Sequence, residues 1–336
     1  MNYNYLSNTG LLVSELCFGT MTFGDKGIWS AIAGVQQDGV NELMKTVIDS
    51  GINFIDTANI YSMGESETLL GQSLKDLGVN RNDLVIATKV RGTMGEGPNE
   101  QGLSRYHIFY SVDESLKRLQ LDNIDILYVH GVDPRTPVEE IMRTLNDVVQ
   151  SGKVRYVAVC NWPAWMVMKA QGIAEKNGWH KFVGMQYYYS LSGRDIEREI
   201  MPLAQDQNLS IMPWSPLAGG FLSGKYTRNN ENAEGRRANF DFPPVNKDKG
   251  YDIIDIITQI GKQKNASAAQ IALAWVRMQP GISSTIIGAK NINQLNDNLK
   301  STEIELSKEE LQRIDEVSKL TTEYPQWMVE RQAYGR

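Results

Sequence analysis

Only two cysteines, Cys17 and Cys160, occur in 336 residues. A disulfide framework is therefore excluded, and a chain this long buries enough surface to need no staples. Basic residues are outnumbered, 34 Lys and Arg against 40 Asp and Glu, for a net charge of -6. With a pI near 5.3, the chain lacks the basic face that nucleic-acid binding requires. No apolar run approaches the roughly 18 residues of a membrane span. Met1-Asn2-Tyr3-Asn4-Tyr5 has neither the positive nor the apolar segment of a signal peptide. A soluble, cytoplasmic protein with no nucleic-acid or membrane partner is expected. The three histidines, His107, His130 and His180, share no ligand spacing with each other or with the cysteines, so no metal is expected. No short repeat is visible.

What is present is a regular alternation of element types. Hydrophobic residues at 41% and charged residues at 22% give a globular balance. Apolar runs rich in β-formers stand at 16–18, 54–57, 84–90, 124–130, 154–160, 183–189, 209–214 and 285–288. Each is continuous rather than alternating, as parallel strands buried on both faces should be. Helix-period segments separate them. Val40, Leu43, Met44, Val47 and Ile48 mark one, with Asp38 as N-cap and Gly51 as its stop. Thr136-Pro137-Val138-Glu139 reads as a capping box opening a second, closed by Gly152; Ser307-Lys308-Glu309-Glu310 reads as another. Eight strands separated by helices predict an α/β fold, a (β/α)₈ barrel. Length alone sets a prior near two domains, but barrels run long, and one domain over 1–336 is expected. A doubly wound open sheet is disfavoured because no Gly-x-Gly-x-x-Gly turn follows the first strand. The Gly-rich stretch 91–104 and the long stretch 219–250 both follow strands, which puts them on the C-terminal face where barrel enzymes keep their sites.

Polar residues close three consecutive strands. Asp56 ends Phe54-Ile55, Lys89 ends Val85–Thr88, and His130 ends Ile126–Val129. A lysine ending a buried strand needs an anion, and Asp56 on the neighbouring strand supplies it. Tyr61, five residues past Asp56, lies in the loop over the same mouth. The ammonium is expected to lower the phenol pKa and make Tyr61 a general acid. His130 would orient a carbonyl or share the proton. Packing explains any one of these residues as well as catalysis does, but not the joint pattern. Gly219-Gly220-Phe221-Leu222-Ser223-Gly224-Lys225 imitates a P-loop, yet Tyr226 stands where Mg²⁺ would need Ser or Thr. Its glycine amides and Lys225 remain candidates to cradle a pyrophosphate.

These residues resemble the aldo-keto reductase superfamily. Phe54-Ile55-Asp56-Thr57-Ala58-Asn59-Ile60-Tyr61 is similar to the family's second-strand signature. The likeness continues through 119–130, 137–161, Met212-Pro213-Trp214-Ser215-Pro216-Leu217-Ala218-Gly219-Gly220 and Ile287-Gly288-Ala289-Lys290. The Trp-Ser-Pro-Leu run and Tyr324-Pro325-Gln326-Trp327-Met328 are nearest in wording to the aryl-alcohol dehydrogenase and potassium-channel β-subunit branch. The resemblance implies a (β/α)₈ barrel with an N-terminal β-hairpin, and NADP(H) as cofactor. It implies a catalytic tetrad of Asp56, Tyr61, Lys89 and His130 acting on a small carbonyl compound. Gly19, Thr20, Met21 and Asp56 would lie on the nicotinamide side. Asn161 and Gln186 would hold the carboxamide, and Trp214 would stack on the ring. Ser215, Pro216, Leu217, Gly219, Lys225 and Arg236 would meet the pyrophosphate. Gly288, Lys290, Gln294, Asp297 and Asn298 would meet the adenosine end, with Asp297 toward the adenine amino group. Trp29, Tyr61 and His130 would line the substrate site, beside Ile28 in a segment, 24–39, longer than the family's shortest version. Two departures stand out. Cys160 replaces a common serine, and thiol is the poorer donor; Gln294 replaces an arginine that some branches place on the 2′-phosphate. The channel-related branch, by resemblance, replaces the histidine that is kept here as His130, which favours an enzyme over a cofactor-sensing subunit. A Schiff-base aldolase using Lys89 is disfavoured, because a lysine paired with Asp56 stays protonated.

Overall fold

The computed structural model describes residues 1–230 and 236–333. β1 (Tyr3–Tyr5) and β2 (Leu12–Ser14) form an antiparallel hairpin. The eight apolar runs become β3 (Leu16–Gly19), β4 (Phe54–Asp56), β5 (Val85–Val90), β6 (Ile124–Val129), β7 (Val154–Cys160), β8 (Phe182–Tyr188), β9 (Ser210–Trp214) and β10 (Thr285–Ile287). They pair in parallel in the order β10-β3-β4-β5-β6-β7-β8-β9. The ring closes through a single parallel bridge, Ile211 with Ile282, flanked by Ile211 N–H to the Gly281 carbonyl and Ser283 N–H to the Ile211 carbonyl, both 3.0 Å. The fold is a (β/α)₈ barrel with an N-terminal hairpin.

Around the ring lie α1 (Gln37–Asp49), α2 (Glu65–Asp76), α3 (Arg105–Leu119), α4 (Val138–Gln150), α5 (Ala164–Asn177), α6 (Ile200–Gln207), α7 (Arg236–Asn239), α8 (Lys247–Lys264), α9 (Ala268–Arg277), α10 (Ile292–Leu299), α11 (Lys308–Ser318) and α12 (Gln326–Ala333). Among the described residues no helix is long and apolar enough to cross a membrane. Two helix starts differ from the sequence reading. Gln36, not Asp38, is the N-cap of α1, and Asp38 sits in the first turn, where its charge still favours the helix N-terminus. Pro137, not Thr136, caps α4, and no side chain closes that cap. Thr136 instead donates its hydroxyl to Asp133 at 2.7 Å, a local bond that competes with the capping role. Ser307 and Glu310 do form the capping box of α11. Gly51 and Gly152 end α1 and α4 at φ of +84° and +80°, where side chains are disfavoured.

Strand parity builds two cores. Residues facing outward pack on the helices. Those facing inward, among them Cys17, Phe54, Val85, Ala87, Ile126, Tyr128, Ala158, Cys160 and Met212, fill the barrel, and Leu6 and Val13 of the hairpin join the same cluster. The hairpin precedes β3, so it stoppers the N-terminal end and leaves the C-terminal end open. Side chains alternate faces along a strand. Asp56 is therefore on the same face as Phe54, Lys89 as Val85 and Ala87, and His130 as Ile126 and Tyr128, all inside the barrel at its open end.

The described residues of the stretch 219–250 are more than a simple loop. It opens with a 3₁₀ turn, Ala218–Ser223, and carries α7 before α8 begins.

Candidate active site

Lys89 is wholly buried, which for an ammonium is tolerable only with full pairing. Its Nζ donates to Asp56 Oδ2 at 2.5 Å, to the Thr57 carbonyl at 2.8 Å and to Tyr61 Oη at 3.1 Å. Asp56 Oδ1 accepts from Gln186 Nε2 at 2.8 Å, so both carboxylate oxygens are used. Burial works to lower the lysine pKa, but Asp56 and Tyr61 together raise it above the ordinary value. Lys89 is a fixed ammonium.

Tyr61 comes from a turn that the sequence bends sharply. Ser62, Met63 and Gly64 follow it with φ of +46°, +55° and +90°. A non-glycine residue in this region costs about 1–3 kcal/mol, and such strain gathers at functional sites. Ser62 anchors the turn by donating to the Phe23 carbonyl at 2.9 Å. The phenol pKa is raised, not lowered as the sequence reading had it. Burial is the largest cause, and the Lys89 charge only partly offsets it. Tyr61 thus carries its proton throughout the neutral range, which is what a proton donor needs. His130 lies edge-on to Tyr61, ring centroids 6.0 Å apart. Its pKa falls well below the usual value through burial, then the charges of Lys89 and Arg91. The imidazole is neutral.

Trp29 packs edge-on against Tyr61 on another side, at 5.2 Å, and is half-buried beside the well-exposed Ile28. The segment 24–39 does reach the site. Cys17 and Cys160 are free and buried, and burial raises both thiol pKa values, so neither is a poised nucleophile.

The other sequence candidates fall into groups around the mouth. Asn161, at φ +57°, accepts from Trp214 Nε1 at 3.1 Å. Trp214 also meets Tyr188 at 5.2 Å and stacks on Phe242 at 5.7 Å with the planes 12° apart. Ser215 Oγ accepts from Gly219 N–H at 2.9 Å, and the Leu217 carbonyl accepts from Gly220 and Leu222. Several amides of the Gly-rich turn are therefore satisfied within the turn itself. Pro216 is buried beside it, and Lys225 Nζ lies 5.3 Å from the Tyr226 ring. The Arg236 side chain lies outside the described residues.

Across the mouth, Gly19 at the end of β3 lies beside Gly288, the residue just past β10. A side chain added at Gly288 would meet nothing nearer than the Gly19 carbonyl at 3.9 Å. Thr20 is buried, its hydroxyl 2.8 Å from Ser66 Oγ, and Met21 is half-buried beyond it. Lys290 donates its N–H to Gln294 Oε1 at 2.9 Å and its Nζ to the Ala33 carbonyl at 3.3 Å. Asn298 Nδ2 donates to the Gly288 carbonyl at 3.1 Å. Asp297 is held by Ser267 at 2.9 Å and Gln270 at 2.6 Å; it ties α10 to the start of α9.

Three features escaped the sequence reading: the Gln186–Asp56 bond, the Phe242–Trp214 stack, and Arg91, two residues past Lys89. The first two join residues 130 and 28 positions apart in the chain, beyond any local signal. Arg91 shows itself only as a charge just after an inward-facing strand end.

A protonated phenol, a fixed ammonium and a neutral imidazole thus meet at the open end of a parallel barrel. The aldo/keto reductase family profile matches residues 15–319, and the chain belongs to that family. It is 37% identical over 326 residues to the uncharacterized oxidoreductase YrpG of Bacillus subtilis (strain 168), covering 94% of this chain and 96% of that protein. It is 36% identical over 336 residues to the putative aryl-alcohol dehydrogenase C977.14c of Schizosaccharomyces pombe, covering 94% and 95%. A probable voltage-gated potassium channel subunit beta of Oryza sativa subsp. japonica is 34% identical over 310 residues, covering 90% and 92%.

Proposed function

We propose that this protein reduces an aldehyde or ketone to the alcohol, reversibly, with NADPH as the hydride source and Tyr61 as general acid. The observation that carries the reading is the chain of contacts from Gln186 through Asp56 and Lys89 to a protonated Tyr61. The residues present fit a dinucleotide. The open ground over Gly288 would admit backbone-close binding, Lys290 stands just past β10 for a 2′-phosphate, and Asn161 is exposed at the mouth for the carboxamide. Phe242 lies on one face of Trp214, so a ring stacking on that face would displace it. Asp297, spent on α9, supports the adenosine end by holding α10 rather than by touching adenine.

When bound, the dinucleotide supplies a hydride to the carbonyl carbon. Tyr61 gives its Oη proton to the carbonyl oxygen, and hydride plus proton complete the alcohol. The phenolate left behind lies 3.1 Å from the Lys89 ammonium, which favours it. Asp56 and the Thr57 carbonyl keep the ammonium in place. His130, neutral, can donate an N–H to the same carbonyl oxygen and hold it in line. Trp29 walls the site. The aldolase alternative needs Lys89 as a free amine, which its three acceptors oppose.

The test is NADPH oxidation against a panel of aromatic aldehydes, ketosugars, steroids and pyridoxal, with borohydride trapping alongside. Turnover without a Lys89 adduct is expected. A Lys89 adduct, or no turnover with any carbonyl, overturns the reading.

A further inference from the structure

Arg91 is exposed at the C-terminal end of β5, two residues beyond Lys89. Its side chain runs past Gly131, the residue after His130. A side chain at Gly131 would meet Arg91 Cδ at 3.4 Å, Nε at 3.6 Å and Cζ at 3.9 Å. Nε donates to the Val132 carbonyl at 2.7 Å, which anchors the group at one nitrogen. Among the described residues Arg91 makes no ion pair, and neither terminal nitrogen has a hydrogen-bond partner. Two carboxylates of the neighbouring loops are engaged elsewhere. Asp133 accepts from Leu103, Arg135 and Thr136, and Glu100 accepts from Gly97. The Lys89 charge beneath is neutralised by Asp56.

The backbone marks the same residue. Arg91 holds φ of +152°, a region that side-chain-bearing residues rarely enter and that concentrates at ligand sites. A strained, exposed arginine, anchored through Nε and leaving both terminal nitrogens without a protein partner next to the residue that follows His130, has the form of a bidentate receptor for a carboxylate or phosphate. The Arg91 charge also reaches the His130 ring, where it helps to keep the imidazole neutral.

We propose that Arg91 determines substrate class: its guanidinium binds a carboxylate or phosphate carried by the carbonyl substrate, so that the site prefers anionic aldehydes and ketones. The proposal rests on the carbonyl-reduction reading above. Trp29 against Tyr61 supplies an apolar wall for the body of such a substrate, and Arg91 supplies its charged end.

The experiment compares 4-carboxybenzaldehyde with its neutral methyl ester, and glyceraldehyde 3-phosphate with glyceraldehyde, in the wild type, Arg91→Met and Arg91→Lys. The ratio of kcat/KM for the charged member over the neutral member should exceed one in the wild type. It should fall about tenfold to a hundredfold in Arg91→Met, through KM, as loss of a charge-assisted bidentate contact requires. Arg91→Lys should restore only part of it. The carboxylate and phosphate pairs show which anion the site takes. A ratio unchanged by Arg91→Met in both pairs overturns the proposal while leaving carbonyl reduction intact. Calorimetric binding of 4-carboxybenzaldehyde in the absence of NADPH separates the two claims. Binding that weakens with Arg91→Met supports the anion site even if turnover fails, and binding indifferent to the charge overturns it.

Discussion

Replacing Lys89 by methionine keeps the length of the side chain and removes its charge. The ammonium holds three acceptors in a fully buried position, and the variant strands the Asp56 carboxylate, itself almost wholly buried, with Gln186 as its remaining partner. Breaking a buried ion pair in this way typically costs about 3–5 kcal/mol. The carboxylate can relieve itself by taking up a proton. For an ordinary aspartate, titrating near 3.9, that uptake costs about 4 kcal/mol at pH 7 but only about 1.5 kcal/mol at pH 5. The loss should therefore approach 4 kcal/mol at pH 7 and shrink to about 1.5 kcal/mol at pH 5. Proton uptake by the folded variant makes stability fall as pH rises, so the sign is set. Urea unfolding followed by tryptophan fluorescence at both pH values measures it, and Asp56→Asn added to Lys89→Met should recover most of the pH 7 loss. An equal loss at the two pH values, or no recovery in the double variant, would refute the stranded-carboxylate argument.

Lys290→Ala should weaken NADPH binding about tenfold to a hundredfold, the weight of a partly exposed charge-assisted contact, and leave NADH binding nearly unchanged. Fluorescence titration of both cofactors decides this; equal losses would show that Lys290 does not read the 2′-phosphate. His130 is held neutral in the folded state, so the unfolded chain binds more protons below about pH 6.5 and stability falls as pH drops. At pH 5 this one group accounts for up to about 2 kcal/mol. His130→Gln should make the decline between pH 7 and pH 5 shallower. His107, lowered by burial in the same direction, should leave a residual slope. An identical slope in wild type and variant would contradict a neutral His130.

The barrel was legible because each strand is a continuous apolar run, and strand parity then carries Asp56, Lys89 and His130 to one interior with no further information. Helix starts were less so. The Thr136–Glu139 spacing fits a capping box, but Asp133 lies three residues upstream and captures the Thr136 hydroxyl. The phenol pKa of Tyr61 was misjudged because the nearby charge is readable from the sequence and the depth of burial is not. Asp297 falls at a nucleotide position by family resemblance; in the fold Ser267 and Gln270, brought to it by the packing of α9 on α10, claim both its oxygens. The Phe242–Trp214 stack depends on the path of the chain between α7 and α8, on which composition is silent.

The most direct test of the account is Tyr61→Phe. The ring, and with it the packing against Trp29 and His130, is retained, and only the Oη proton is removed. With a carbonyl substrate that the wild type turns over, kcat should fall about 10²–10⁴-fold while the NADPH Kd stays unchanged. A variant that keeps more than about a third of the wild-type kcat would contradict the assignment of Tyr61 as the proton donor.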